Sequence, residues 1–177
     1  DQPWLWDLAR DHFGSCTPVE RVGSAAGAFD QLRRDPARLA VLPLPEDGHG
    51  WWTNLLDPTH DRWRVVARLP FAPTGRTSGG ALVVAGLEPE PSGEDASVVA
   101  IEAAPAVGRQ ELHERLERAG HAPRWLASAA SASEGIVHLV ELEGWHGSGE
   151  LRARGVEGHG LRMTWLGGYA RPLAVGA

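Results

Sequence analysis

The sequence predicts an α/β half followed by an α+β half whose elements run β-α-β-β-α-β. Two observations carry this. A strand-helix-strand rhythm occupies residues 18–42, and composition shifts to Pro, Gly, Thr and Ser at 70–80 and again at 89–93, after which a strand, an amphipathic helix and further strands follow in a different order.

Residues 4–13 put Leu5, Leu8 and Ala9, then His12 and Phe13, on one stripe of a helix that stops at Gly14. Residues 18–22 read as a short strand. Ser24 caps a second helix with Ala25, Ala28, Phe29 and Leu32 facing inward, and Asp35 and Pro36 end it. The uninterrupted apolar run 39–42, bounded by Pro43, reads as a buried strand, so the first half is expected to hold a right-handed β-α-β unit with parallel strands. A short helix at 51–56 and strands at 64–69 and 81–85 follow.

In the second half, 97–101 is a strand and 107–119 a helix. That helix carries Leu112, Leu116 and Ala119 on one stripe, Gly120 just past its end, and the i,i+4 pairs Glu111–Arg115 and Glu114–Arg118. Residues 124–129 and 136–142 pair antiparallel across a small-residue turn at 131–135, a short helical piece surrounds Leu151, and 161–166 is the last strand. The expected result is a four-stranded antiparallel sheet with two helices on one face.

Composition narrows the chemistry. With 177 residues, 42% hydrophobic and 23% charged, the chain has the make-up of one compact domain or two small ones. Its 17 basic residues against 23 acidic ones give a formal charge of −6, which argues against a nucleic-acid partner. Every basic residue is Arg, and the lack of Lys removes Schiff-base, pyridoxal and GKS/GKT phosphate-loop chemistry. Cys16 is the single cysteine, which excludes an internal disulfide and Cys-cluster metal sites and fits a cytoplasmic location. No run approaches the ~20 apolar residues that span a bilayer. The first residues are neither an initiating Met nor a basic leader, so the chain is expected to begin inside a longer protein.

Histidines at 12, 49, 60, 113, 121, 138, 146 and 159 form no i,i+4 pair on a predicted helix and no HExxH, so no metal or other cofactor is expected. His138 shares a strand face with Ile136, Val140 and Leu142 and reads as a core or interface histidine. No serine sits in G-x-S-x-G, and the Gly-rich stretches 75–80 and 155–160 lack the strand-turn-helix setting of a phosphate cradle. Glu46, Asp47, Gly48 and His49 follow a buried strand end, where α/β sheets hold ligands, so they are a pocket wall or a solvated turn. Trp51, Trp52 and Trp63 read as packing that pins the short helix to the sheet, the alternative being a pocket wall beside that acidic loop.

Three stretches, in order, carry a family resemblance. Val19-Glu20-Arg21-Val22, then Ser24 to Arg34, then Ala40-Val41-Leu42-Pro43-Leu44 resemble the strand, helix and GVVPIEN strand in the first lobe of bacterial prephenate dehydratases. Ala81 to Val84 with Pro91-Ser92-Gly93-Glu94-Asp95 and Ser97 to Ile101 resemble the passage into that enzyme's ACT regulatory domain. Trp165-Leu166-Gly167-Gly168-Tyr169 is similar to its LGSYP ending. Closer still, Trp6-Asp7-Leu8 through His12-Phe13-Gly14, Val41 to Glu46 and Arg68-Leu69-Pro70-Phe71 look like the C-terminal region of proteobacterial proteins that begin with a helical chorismate mutase domain.

This resemblance implies a reduced periplasmic-binding-like α/β lobe over 1–80, a connecting strand and linker over 81–94, and a ferredoxin-like ACT domain over 95–177. It further implies a role in phenylalanine and aromatic amino acid biosynthesis, a phenylalanine-like effector, and a homodimer formed through the ACT-like half. Departures from the family pattern weigh against catalysis. Only residues 71–80 are available where a dehydratase has its second lobe, the Thr-Arg-Phe segment is replaced by Arg76-Thr77-Ser78-Gly79, and the family's Glu-Asn falls on Pro45-Glu46. Dehydration with decarboxylation needs an acid for the departing hydroxyl and a clamp on two carboxylates, and that set is not evident.

The expectation is therefore a non-catalytic or weakly catalytic region whose parent acts as a chorismate mutase, the alternative parent being a prephenate dehydratase. A rival is a dehydratase using Glu46, Asp47, Arg68 and Thr77; a third reading is a structural dimer module. The resemblance places the effector at the turn into the first ACT-like helix, on Pro105, Val107, Gly108 and Arg109, where helix amides receive a carboxylate. The family's Asp-Arg-Pro-Gly turn is replaced by Glu102 to Gly108 and its Glu-Ser-Arg-Pro segment by Ala127-Ser128-Ala129-Ala130, so oligomerisation without an effector is the alternative.

Overall fold

A computed structural model describes residues 3–48, 50–60, 62–72, 79–131, 135–147 and 160–173. Helix α1 (Pro3–Phe13) starts on a proline, buries Leu8 and Ala9, and ends where Gly14 turns to φ +85°. Helix α2 (Ala25–Arg34) is capped by Ser24, whose Oγ accepts the Gly27 N–H at 3.1 Å, and it buries Phe29 and Leu32. The strands are β1 (Leu39–Pro43), β2 (Arg64–Leu69), β3 (Ala81–Ala85), β4 (Asp95–Ala103), β5 (Pro123–Ala130), β6 (Ile136–Glu143) and β7 (Leu161–Ala170). Helix α3 (Arg109–Arg118) connects β4 to β5.

All seven strands form one sheet in the order β1-β3-β2-β7-β4-β6-β5. Its neighbours are antiparallel except β2 and β7, which meet in parallel at a single register pair, Val65 with Gly167. Gly167 has φ +135°, and a Cβ there would lie 2.2 Å from the Val65 carbonyl oxygen. Only glycine tolerates both the dihedral and the approach, so this residue makes the seam between the two strand groups possible.

The sheet curls until its ends meet. The segment after β1 reaches β5 at the opposite edge, where Asp47 Oδ1 accepts the Ser128 N–H at 2.7 Å and the Gly48 N–H points to the Ser128 carbonyl at 3.5 Å. The inner face carries the largest core, to which every strand contributes: Ala40 and Leu42, Leu82 and Val84, Val65, Leu166 and Tyr169, Val98, Leu139, and Ala127. Phe29 and Leu32 of α2 fill it together with Trp52 and Leu55 of a 3-10 segment, Trp51–Leu56. On the outer face, α1 covers β1, β3 and β2 through Leu8, while α3 covers β4 and β6 through Leu112 and Leu116. Strand β3 and residues 98–101 of β4 are consequently buried on both faces, which is why they read as unbroken apolar runs.

Several expectations need correction. Residues 18–22 form no strand, and β1 pairs antiparallel with β3, so the parallel β-α-β unit does not exist. Pro18 offers no donor, Glu20 and Arg21 face solvent, and the Val22 side chain lies over Gly27, so this stretch serves the entry to α2. The short helix at 51–56 is 3-10 rather than α, closed by the Asn54 side-chain amide donating to the Trp51 carbonyl at 2.6 Å. Glu111 and Arg115 do pair, whereas Glu114 receives the Gln110 amide at 3.0 Å. Strand β3 lies between β1 and β2. Strand β4 begins at Asp95 and β7 continues to Ala170, both beyond the apolar stretches that announced them. The helical piece around Leu151 lies outside the described residues.

Substituting Gly167 tests the seam. Gly167→Ala is expected to cost at least ~3 kcal/mol in urea unfolding, since strain and backbone overlap combine, whereas Gly120→Ala, at φ +82° in open space, costs ~1 kcal/mol. Equal losses at the two positions would contradict the account of the seam.

Candidate functional site

The hairpin β5–β6 sets the geometry. A register shift between Trp125 and Ala127 turns Arg124 and Ala127 to the inner face, while Ser128 stands opposite His138 on the outer face, beside α3. Two polar groupings result, one near each end of β5.

Glu141 organises the first, on the inner face. Arg124 donates to it through Nε at 2.9 Å and Nη2 at 2.6 Å, Arg68 through Nη1 at 2.9 Å, and the Tyr169 hydroxyl also donates to Oε2. Arg68 belongs to β2 and Arg124 to β5, so a single carboxylate ties strands that are four places apart in the sheet. The side chains of Arg68 and Glu141 are 18% and 16% exposed. Burial first, and then the Glu141 charge, push the Tyr169 hydroxyl far above the usual phenol range, so it stays a donor.

The second grouping surrounds His138, which is 5% exposed. Its Nδ1 lies 2.9 Å from Ser128 Oγ, and Trp125 meets its ring edge to face with centroids 5.3 Å apart. Trp125 Nε1 donates to His113 Nδ1 at 3.2 Å, and the Arg109 guanidinium sits 4.7 Å from the Trp125 ring centre. Arg109 opens α3 after Gly108, which supplies no side-chain cap. The N–H groups of the first turn therefore face outward without intrahelical partners, with the N-terminal end of the helix dipole behind them. Burial, then the Arg109 charge, lower the proton affinity of His138 below the ordinary histidine value, while Asp47 acts in the opposite sense.

Sequence-predicted residues divide between these places. Val107 packs against the core under α3, its N–H bonded to the Ala104 carbonyl at 2.9 Å; Pro105, Gly108 and Arg109 are exposed on the same turn. Arg68 belongs to the Glu141 tie. Glu46 and Asp47 are exposed, and the Asp47 carboxylate holds the Ser128 amide. Asp47 and Arg68 thus reach β5 at Ser128 and beside Arg124, four residues or ~13 Å apart, and do not form the cleft the rival reading requires. Thr77 and His49 lie outside the described residues. The structure instead brings Asp47 and Arg109, which the sequence offered to two separate readings, near His138, Asp47 through the Ser128 amide and Arg109 through the Trp125 ring. Ser128, Trp125, His113, Glu141 and Tyr169 were missed as site residues. Trp51 donates to the Pro43 carbonyl at 3.0 Å, and Trp52 and Trp63 are fully buried, as packing predicts.

The architecture is that of a mixed α/β protein on one curled sheet, and solved structures give it a prephenate dehydratase-like fold. Among matching solved structures, one described as GqqA, a novel type of quorum quenching acylase, is 14% identical with TM-score 0.67, covering 94% of this chain and 88% of its own. Prephenate dehydratase from Streptococcus mutans is 14% identical with TM-score 0.54, covering 88% of this chain and 85% of its own. Prephenate dehydratase from Arthrobacter aurescens in complex with L-Phe is 13% identical with TM-score 0.56, covering 99% and 89%. At such identities the likeness concerns the fold. No family model matches the sequence, and no curated protein does.

Two measurements follow. Glu141→Ala leaves two guanidinium groups without their shared carboxylate and is expected to cost ~3 kcal/mol in chemical denaturation. Because His138 binds its proton less readily folded than unfolded, stability is complete above the unfolded value of about 6.5 and falls as pH drops below it. The acid-side fall in Tm below pH ~6.5 should flatten in His138→Gln; an unchanged slope would remove His138 as its source.

Proposed function

We propose that this chain is an amino-acid-binding, ACT-like regulatory region of aromatic amino acid biosynthesis, carried on a reduced prephenate dehydratase-like α/β lobe. The supporting observation is the strand order β7-β4-β6-β5 with α3 on its outer face, the order of a split β-α-β-β-α-β unit, joined to a three-stranded remainder. A dehydratase of like fold was solved with L-Phe, which supports phenylalanine as the effector to try first. The proposed division is a lobe over 1–80, a connection over 81–94 and the ACT-like domain over 95–177. The effector carboxylate would be received by the first-turn amides of α3 and by Arg109, with its side chain against Val107 and Trp125.

A homodimer through the ACT-like half, a chorismate mutase-type parent and a cytoplasmic setting complete this reading. Among the described residues, no helix is long and apolar enough to cross a membrane. Acyl-bond cleavage is a second reading, favoured by the likeness to a structure described as an acylase.

Isothermal titration with phenylalanine, tyrosine and tryptophan is expected to show saturable heat for phenylalanine, weakened roughly 10-fold in Arg109→Ala. Silence with all three amino acids would overturn the effector reading.

A further inference from the structure

We propose that Ser128 and His138 form a nucleophile–base pair that cleaves acyl compounds carrying a carboxylate, of the N-acyl amino acid class; the carboxylate preference rests on the reading of the α3 turn given above.

The two residues are direct cross-strand partners, with Ser128 Oγ 2.9 Å from His138 Nδ1. With the ring proton on Nε2, the hydroxyl donates to Nδ1, the arrangement from which a base removes the hydroxyl proton. His138 is fixed in place by Trp125, and burial together with Arg109 keeps it unprotonated near neutrality. Asp47 supplies the opposite charge for the imidazolium that forms on proton transfer. Ser128 itself is only partly buried and lies on the last strand of the sheet. Its backbone is clamped on both sides, its N–H by Asp47 and its carbonyl by Gly48. A nucleophile held this way loses little freedom on reaching the attacking geometry.

The charged and titratable groups around His138 come from two elements: Arg109 and His113 from α3, the latter through Trp125, and Asp47 from the segment after β1. Arg109, over the Trp125 ring, is the cation of this group available to a substrate carboxylate. A cross-strand hydrogen bond that merely satisfies a buried imidazole would not require a partly open serine, a cation and an aromatic wall on the same side.

The chemistry balances without an external reagent other than water. Ser128 Oγ bonds to the acyl carbon as its proton passes to His138. The carbon–nitrogen bond of an amide, or the carbon–oxygen bond of an ester, then breaks as His138 returns that proton to the leaving group. Water next attacks the acyl-serine, giving a proton to His138 that is passed to Oγ, and the free acid departs.

The test uses the full chain with p-nitrophenyl acetate and with N-acetyl-L-phenylalanine. Expected are a burst of p-nitrophenolate, an acetyl adduct mapped to Ser128 by peptide mass spectrometry, and hydrolysis of N-acetyl-L-phenylalanine that rises with pH to a plateau, its midpoint below about 6.5. Ser128→Ala should abolish adduct and turnover, and His138→Gln should lower acylation at least 100-fold, with circular dichroism and phenylalanine titration unchanged in Ser128→Ala. Acylation in wild type no faster than in Ser128→Ala, or an adduct elsewhere, overturns the proposal. Acetylation of Ser128 without hydrolysis of N-acetyl-L-phenylalanine supports the pair and overturns the substrate class. Loss of phenylalanine heat with retained acylation identifies a failure of the effector reading alone.

Discussion

Curvature is what the molecule depends on. Seven strands laid flat would present two open edges and an inner face that α2 and the 3-10 segment could not cover; bent, they enclose both and bring Asp47 to Ser128. Two joints hold the bend. One is the seam of Val65 and Gly167, where backbones approach too closely for any side chain, and the other is the bond from the Asp47 carboxylate to the Ser128 amide. The second joint also sets one wall beside His138, so the closure that completes the core positions the polar site as well.

The Glu141 tie shows how a charged residue in this fold is absorbed by architecture. Arg68 belongs to the rival catalytic set in sequence, and it stands in a strand that is otherwise apolar after Arg64. A register shift between Val65 and Ala67 turns it inward with Val65, where the carboxylate of β6 and the guanidinium of β5 meet it. A half-buried guanidinium without a partner would cost several kcal/mol, and Glu141 removes that cost while linking distant strands. The inner grouping is therefore a brace, and the outer one, with a partly open serine and an exposed cation, is where small molecules can reach polar atoms.

Local structure was largely legible in the sequence because periodicity and punctuation report on it directly. Strands β2 and β3 fall where their apolar runs lie, and the Ser24 cap and Gly14 stop mark helix ends as they stand. Long-range order was not legible. Whether β1 pairs with a strand before α2 or with β3 depends on partners tens of residues away, and Pro18 with two charges was too weak a strand to win that contest. The site was partly legible. Arg109 was singled out as a helix-opening cation and Asp47 as a strand-end acid, but the curl that places them around one histidine leaves no trace in composition. A signal for Ser128 did exist: the expected turn at 131–135 centres the hairpin on residue 133, which puts Ser128 and His138 opposite each other. Placing His138 in the core hid its partner.

Between β3 and β4 the chain runs through an exposed connection at residues 86–94, and this is the covalent link from the first strand group to the second. The link runs past the joint of β2 with β7, where Leu87 and Ser92 line one pocket with Val66 and Gly168, whereas the other joint is built from the segment after β1 with β5. A backbone cleaved within that stretch would leave two polypeptides with matching halves of the same interior, one bearing Asp47 and the other Ser128 and His138. Reassociation of such fragments would regenerate the site from separate molecules, making this fold a natural scaffold for split-protein complementation.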